Sequence, residues 1–114
     1  MDSVMLDKSK KFAVRIVRMH RYLCDEKREY VISRQALRSG TSIGANIAEA
    51  EYGSTRKEFA SKLYIALREC AETLYWLELL VNTGYISAQQ YRSLRADCEE
   101  LRKMLSSATK TLQT

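Results

Sequence analysis

The sequence predicts an all-α protein, an antiparallel up-and-down four-helix bundle. The 114 residues include no proline and only four glycines, so few positions would interrupt a helix. Apolar residues make up 46% of the chain and charged residues 29%, which is typical of a folded domain and argues against disorder. Four segments place their apolar residues at helical spacing. We expect a single domain, residues 1–114, that is long enough to bury a core.

The first two helices are expected at residues 7–27 and 34–52. Along the first, apolar residues fall on one arc at about 100° per residue, and basic residues occupy the opposite arc. Ser33 is the expected N-cap of the second helix, because its side-chain oxygen can accept a first-turn N–H. Gly53 is expected just past its end, in the left-handed conformation that glycine adopts readily.

The third and fourth helices are expected at residues 55–83 and 88–112. Each begins with a capping box, in which a hydroxyl residue is followed three positions later by Glu or Gln. The two boxes pair Thr55 with Glu58 and Ser87 with Gln90. Gly84 follows the third helix as a stop signal. Short connections between helices of this length make neighbours antiparallel and favour the up-and-down bundle.

The second helix carries two unusual rows of small and polar residues. One row has small residues four apart, a spacing that lets another helix approach closely; it consists of Gly40, Gly44 and Ala48. The other row is polar and lacks Lys and Arg, although 19 basic residues occur in the chain; it consists of Ser39, Ser42, Asn46 and Glu49. We expect this polar row to be an oligomer or helix contact, with a solvated face as the alternative.

The stretch "LYWLELLV", residues 74–81, is apolar on every side of the third helix. Leu74, Leu77 and Val81 are expected to face the bundle, whereas Trp76, Leu79 and Leu80 are expected to point elsewhere. Because a helix that is apolar all round must be covered all round, the stretch predicts a homo-oligomer. Glu78 falls on the expected core arc and would need partners such as Asn46, Ser42 or an arginine.

The formal net charge of +5 is concentrated in residues 1–38, which hold ten basic and five acidic side chains. A basic row on the first helix could follow a phosphate backbone without recognising bases; it consists of Lys8, Lys11, Arg15 and Arg18. The alternative is an ordinary solvated face. The row has no interleaved aromatic residues, which argues against stacking on single-stranded bases.

Catalytic and metal-binding signatures are scarce. His20 and Cys24 form one i, i+4 pair without a second pair to complete a metal site. Arg15 and His20 have a spacing seen in some all-helical ribonucleases, which leaves a metal-independent ribonuclease as a remote alternative. No phosphate-binding glycine loop or cofactor motif is present, so we expect no cofactor and no enzyme activity. The three widely spaced cysteines predict reduced thiols in a cytoplasmic protein, and no apolar run reaches membrane-spanning length.

Three motifs give the chain a family resemblance: "RSGTSIGANIAE" at residues 38–49, "ETLYWLELL" at 72–80 and "GYI" at 84–86. The chain resembles the four-helix-bundle family of proteins encoded in intervening sequences of bacterial 23S ribosomal RNA genes, over about residues 8–112. It is also similar to the accessory variability protein of diversity-generating retroelements.

The resemblance implies a homopentamer without known catalytic activity. The retroelement relative implies nucleic acid and a reverse transcriptase, or another protein, as partners. Ser42, Asn46 and Glu49 match signature positions that the resemblance makes structural or interfacial. Many members have glycine where this chain has Ala50.

The leading hypothesis is therefore a non-enzymatic, cytoplasmic homo-oligomer, a pentamer by resemblance, that binds RNA or DNA through basic helix faces. The alternative is a protein-interaction scaffold that docks an acidic protein partner on the same faces. The ribonuclease remains a remote third hypothesis and would depend on His20.

Overall fold

A computed structural model of the protein describes the backbone of residues 3–113 and the side chains of residues 4–112. The predicted domain bounds of 1–114 include residues 1, 2 and 114, which lie outside the described residues. The described residues form four helices: α1 at Ser3–Lys27, α2 at Ile32–Ala50, α3 at Arg56–Asn82 and α4 at Ala88–Gln113. The part of the chain that is described contains no strand.

The helices form a closed ring in which each packs against the next along the chain and α4 packs against α1. Neighbouring helices are antiparallel, because the residue numbers of paired side chains rise along one helix and fall along the other. Between α1 and α4 the pairs are Lys8 with Glu100 and Arg15 with Asp97. Between α2 and α3 they are Arg38 with Glu69 and Glu49 with Lys62. The bundle measures 45 × 20 × 20 Å, which fits helices of this length lying side by side. The predicted all-α, antiparallel up-and-down bundle is confirmed.

The start of α2 differs from the prediction that Ser33 is its N-cap. The cap is supplied by the carboxylate of Glu29, which accepts the N–H groups of Val31 at 3.3 Å, Ile32 at 3.1 Å and Ser33 at 2.7 Å. Ser33 is buried in the first turn and donates its hydroxyl to the Glu29 carbonyl oxygen at 2.8 Å. A carboxylate satisfies several free N–H groups at once and is favoured by the helix dipole, so it displaces the hydroxyl.

The starts of α3 and α4 have the hydroxyl caps that the predicted capping boxes supply. The Thr55 hydroxyl accepts the Glu58 N–H at 3.0 Å, and the Ser87 hydroxyl accepts the Gln90 N–H at 3.0 Å. Gly84 ends α3 with a φ of +85°. The left-handed conformation expected at Gly53 is wrong, because α2 ends in hydrogen-bonded turns and the Gly53 N–H donates to the Ala50 carbonyl at 3.1 Å.

The buried face of α3 differs in phase from the predicted one over its second half. Thr73, Leu77 and Leu80 are fully buried, so the expectation that Leu80 points away from the bundle is wrong. Glu78, expected on the core arc, is exposed. The prediction placed Leu74 in the core stripe instead of Thr73, because Thr73 is polar. Its hydroxyl lies 2.8 Å from the Glu69 carbonyl oxygen and 2.9 Å from the Ser39 hydroxyl, which lets it occupy a core position.

The small-residue row of α2 lies against α1. A Cβ added at Gly40 would be 2.9 Å from both Cγ atoms of Ile16, and one added at Gly44 would be 2.9 Å from the Ser9 hydroxyl oxygen. Ile16 and Ser9 are fully buried, so neither can swing into solvent. The absence of side chains at these two glycines therefore sets how closely α1 and α2 approach. Ala48 lies one turn further along and is half-buried.

We expect Gly40→Ala to lower the free energy of unfolding by about 1–2 kcal/mol, because overpacking against Ile16 outweighs the gain in helix propensity. Denaturant unfolding measures the change. The control is Ala45→Gly at an exposed position of the same helix, which measures the difference in helix propensity between alanine and glycine without a packing change. Adding Ile16→Ala to Gly40→Ala should cost less than the sum of the two single changes. A Gly40→Ala protein as stable as the wild type would contradict the close packing.

Candidate nucleic-acid interface

Positive charge is distributed unevenly among the four helices. α1 contains seven Lys and Arg residues against three Asp and Glu, and α4 contains five against three. α3 contains four of each sign, and α2 contains two basic residues and one acidic residue. Because α1 and α4 are neighbours in the ring, the net positive charge lies on one half of the bundle. We call this half the α1/α4 face and the opposite half the α2/α3 face.

Part of the predicted basic row is engaged by α4. The Lys8 ammonium lies 3.0 Å from the Glu100 carboxylate, and the Arg15 guanidinium lies 2.7 Å from that of Asp97. Arg15 also donates to the Ser93 hydroxyl at 2.8 Å and to the Ser93 carbonyl oxygen at 3.3 Å. These side chains are substantially exposed, so the pairs orient the basic groups more than they stabilise the fold. Helical periodicity could not show these pairs because they require the register between α1 and α4.

Other basic side chains on α1 are exposed and, within the described part of the chain, not paired with an acidic residue, so they can contact an external anion. Arg18, in the predicted row, is exposed and forms no ion pair within the described residues. Lys10 and Arg21 are also exposed and unpaired there, although neither was in the predicted row. Lys11 is exposed and lines a shallow cleft that also includes Asp97. The unpaired basic groups of α1 therefore lie both on its α4 side, at Lys11 and Arg18, and at other exposed positions, at Lys10 and Arg21.

A groove opens between α1 and α4 near the end of the bundle where α3 connects to α4. It has a volume of about 280 Å³ and is lined by two arginines, one aromatic ring, one amide and three aliphatic side chains: Arg15, Arg18, Met19, Tyr22, Ile86, Gln90 and Leu94. Tyr22 is 38% exposed, and the Lys27 ammonium lies 6.0 Å from the centre of its ring. Tyr22 follows the basic row rather than interleaving with it, but its ring lines the same groove as Arg15 and Arg18. Tyr22 lies four residues after Arg18, and this spacing was the available signal in the sequence.

The polar row of α2 lies beside α3. The Ser42 hydroxyl donates to the Arg38 carbonyl oxygen at 2.6 Å, and the Asn46 amide donates to the Ser42 carbonyl oxygen at 2.8 Å. Glu49 is exposed, and its carboxylate lies 3.6 Å from the Lys62 ammonium. Ser39, the first residue of the row, is fully buried, and its hydroxyl lies 2.9 Å from that of Thr73 on α3. The other three residues form bonds within their own helix and one loose ion pair with α3. They leave a surface of small, mostly uncharged side chains on α2.

A network of charged and aromatic side chains joins α2 to α3 next to this row. Arg38 pairs with Glu69 at 3.0 Å and with Glu72, and the Trp76 indole N–H donates to the Glu72 carboxylate at 2.9 Å. The Trp76 hydrogen bond, together with Arg38, holds the pKa of the Glu72 carboxyl below its usual range. Pairing with Glu72 raises the pKa of Arg38. The network fixes the half-buried Trp76 ring against the bundle surface.

The outer surface of α3 carries apolar and aromatic side chains. Tyr75 is 60% exposed, and its ring meets that of Trp76 edge to face with 4.9 Å between centroids. Ile65, Leu79 and Tyr64 are half-buried along the same helix. Of the three residues predicted to point away from the core, Trp76 and Leu79 thus retain accessible surface, whereas Leu80 does not.

The histidine and one cysteine of the predicted i, i+4 pair lie together, with 3.6 Å between the His20 Nε2 and the Cys24 Sγ. The His20 ring nitrogen Nδ1 lies 3.2 Å from the Ser33 hydroxyl on α2, whereas Arg15 is held by α4, so the two ribonuclease candidates point to different neighbours. Among the described residues, no group of three or more metal-binding side chains occurs. The Cys98 thiol donates to the Cys70 carbonyl oxygen at 3.6 Å, and hydrogen bonding to Cys70 and burial raise its pKa.

Comparison with known proteins identifies the family. Residues 1–107 match the model for the 23S rRNA-intervening sequence protein, and the chain belongs to this family. It is similar to a protein of unknown function from the S23 ribosomal protein family of Bacteroides thetaiotaomicron VPI-5482, whose crystal structure is known. The two chains are 54% identical and superpose with a TM-score of 0.92, and the match covers 93% of this chain and 98% of that one. The resemblance to the intervening-sequence family is confirmed.

No curated protein matches the chain. Within the described residues, none of the helices combines the length and the apolar character needed to cross a membrane.

Proposed function

We propose that this protein is a non-enzymatic nucleic-acid-binding protein that contacts RNA or DNA through the α1/α4 face. The observation that carries the proposal is the segregation of charge, which gives one half of the bundle nearly all of the net positive charge. A basic surface of this kind neutralises backbone phosphates and releases their counterions. The side chains available for such contacts are the unpaired basic groups of α1, above all Arg18, Lys10 and Arg21.

Recognition in this proposal depends on charge and shape more than on sequence. The contacts are Lys and Arg side chains on a rigid helix, which position phosphates without identifying bases. Affinity should therefore fall steeply with salt. The names of the family and of the solved relative both refer to ribosomal RNA or the ribosome, so RNA is the first probe to test. The three free thiols support a reducing compartment such as the cytoplasm.

Assembly into a homo-oligomer through the α2/α3 face is the second part of the proposal. The accessible apolar surface on the outside of α3 supports it, with Tyr75 at its centre, as do the small uncharged side chains of α2. Such an arrangement leaves the α1/α4 face of every subunit outside the contact. Repeated weak phosphate sites on one particle would then act together, which raises affinity without any new contact.

The charge proposal predicts that the double variant Lys11→Glu with Arg18→Glu binds single-stranded RNA at least about tenfold more weakly than the wild type. The slope of log affinity against log salt should also fall by about one for each phosphate that the variant no longer neutralises. Fluorescence anisotropy with labelled RNA measures both quantities.

The matched control is Arg34→Glu with Arg56→Glu, which changes the net charge equally at exposed positions in the first turns of α2 and α3, away from the apolar surface around Tyr75. This control should keep the affinity and the salt slope of the wild type. Equal reductions in both double variants would show that net charge alone matters and would contradict a specific α1/α4 face. A capture experiment that returns a bound acidic protein after nuclease treatment, with no RNA affinity, would favour the scaffold alternative.

The assembly proposal predicts a particle several times heavier than the 13.2 kDa chain in light scattering. Tyr75→Glu should shift this particle towards the monomer, because a charge placed in a covered apolar surface loses its hydration. Tyr30→Glu changes another exposed tyrosine, in the α1–α2 connection, and should leave the mass unchanged. A wild-type protein that is monomeric at micromolar concentration would refute this part of the proposal.

A further inference from the structure

The groove between α1 and α4 has an apolar floor and a polar rim. Met19, Ile86 and Leu94 form the floor, and each is less than one-tenth exposed when the whole residue is considered. Tyr22 and Arg18 stand on the α1 side, and Gln90 stands on the α4 side. The groove is open to solvent, and its volume of about 280 Å³ lies just below the roughly 300–1,000 Å³ of pockets that hold whole drug-sized ligands. The groove therefore suits a smaller group, such as one planar ring system.

The polar groups at the rim are positioned for a base and its phosphate. The side-chain oxygen of Gln90 accepts the Ser87 N–H at 2.8 Å, which leaves its NH₂ group free to donate to a ligand. Arg18 forms no ion pair within the described residues and extends the unpaired basic surface of α1 to the edge of the groove. The Lys27 ammonium near the Tyr22 ring adds further positive charge on this side. These exposed donors favour a ligand that carries negative charge and hydrogen-bond acceptors over a neutral apolar one.

We propose that this groove receives one unpaired base of a single-stranded nucleic acid, stacked on the Tyr22 ring, while Arg18 contacts the adjoining phosphate. Stacking on an aromatic side chain is tolerant of base identity, since every base presents a π face. The inference rests on the proposed function and deepens it by predicting that the protein prefers single strands to duplexes. A duplex presents its phosphates to the same basic surface but keeps its bases stacked inside.

The test compares three labelled RNA probes of about 12 nucleotides, within the usual site size for single-strand binders. They are a single strand, the matched duplex and a single strand in which several central bases are absent. Each probe is titrated into wild-type protein, Tyr22→Ala, Tyr22→Phe and Tyr52→Ala. Tyr52 is 87% exposed, lies in the α2–α3 connection and provides the control for loss of an exposed tyrosine. Circular dichroism melting verifies that each variant folds.

We expect Tyr22→Ala to bind the intact single strand about tenfold more weakly, with Tyr22→Phe and Tyr52→Ala unchanged. The duplex and the base-free strand should bind the wild type and Tyr22→Ala equally. In methyl NMR spectra, the Ile86 and Met19 signals should shift with the intact strand and not with the base-free strand.

Unchanged affinity of Tyr22→Ala for the intact strand, or a wild type that does not distinguish the three probes, would overturn the groove inference. In that case the proposed function is judged separately by the Lys11→Glu with Arg18→Glu variant. If that double variant loses affinity, phosphate binding stands without a base site. If the wild-type protein binds none of the probes, both proposals fail.

Discussion

The close approach of α1 to α2 at two glycines is the constraint on which the rest of the bundle depends. Ile16 fills the space that a side chain at Gly40 would occupy, and Ser9 does the same at Gly44. This contact fixes α1 on its α2 side. The seam on its other side, towards α4, is the most open of the four in the ring. Polar pairs bridge that seam and leave the groove beside Tyr22. α1 is therefore held closely on its α2 side and more loosely on its α4 side, where the groove lies.

The distribution of side chains around this scaffold gives the two halves of the bundle different chemistry. The α1/α4 face is basic, partly paired along the seam and unpaired on the outside of α1. The α2/α3 face is nearly neutral and carries small residues, the network around Trp76 and an exposed tyrosine, Tyr75. This difference is the basis for proposing an anionic polymer as the partner of one half and a copy of the same chain as the partner of the other. An antiparallel bundle allows this separation because α1 and α4 are adjacent although they lie at opposite ends of the sequence.

The bundle was predictable from sequence because its determinants are local: helical spacing, two capping boxes and the glycine after α3. The failures came from interactions between distant residues or from the geometry of the connections. Glu29, rather than Ser33, caps the start of α2. Thr73 occupies a core position because the Ser39 hydroxyl and a carbonyl oxygen satisfy its hydroxyl. Because the core stripe includes the polar Thr73, Leu80 is buried and Glu78 is exposed, the opposite of what the apolar pattern predicts. Pairing of Lys8 and Arg15 with α4 required the helix register, which periodicity does not supply.

The central claim is that nucleic acid meets only the basic half of the bundle. Ultraviolet crosslinking of the intact protein to single-stranded RNA, followed by mass spectrometry of the attached peptides, tests it most directly. The account predicts crosslinks in peptides from α1 and α4, including the segment around Tyr22, and none in peptides from the outer surface of α3. Crosslinks centred on α3, or spread evenly over the four helices, would contradict the account.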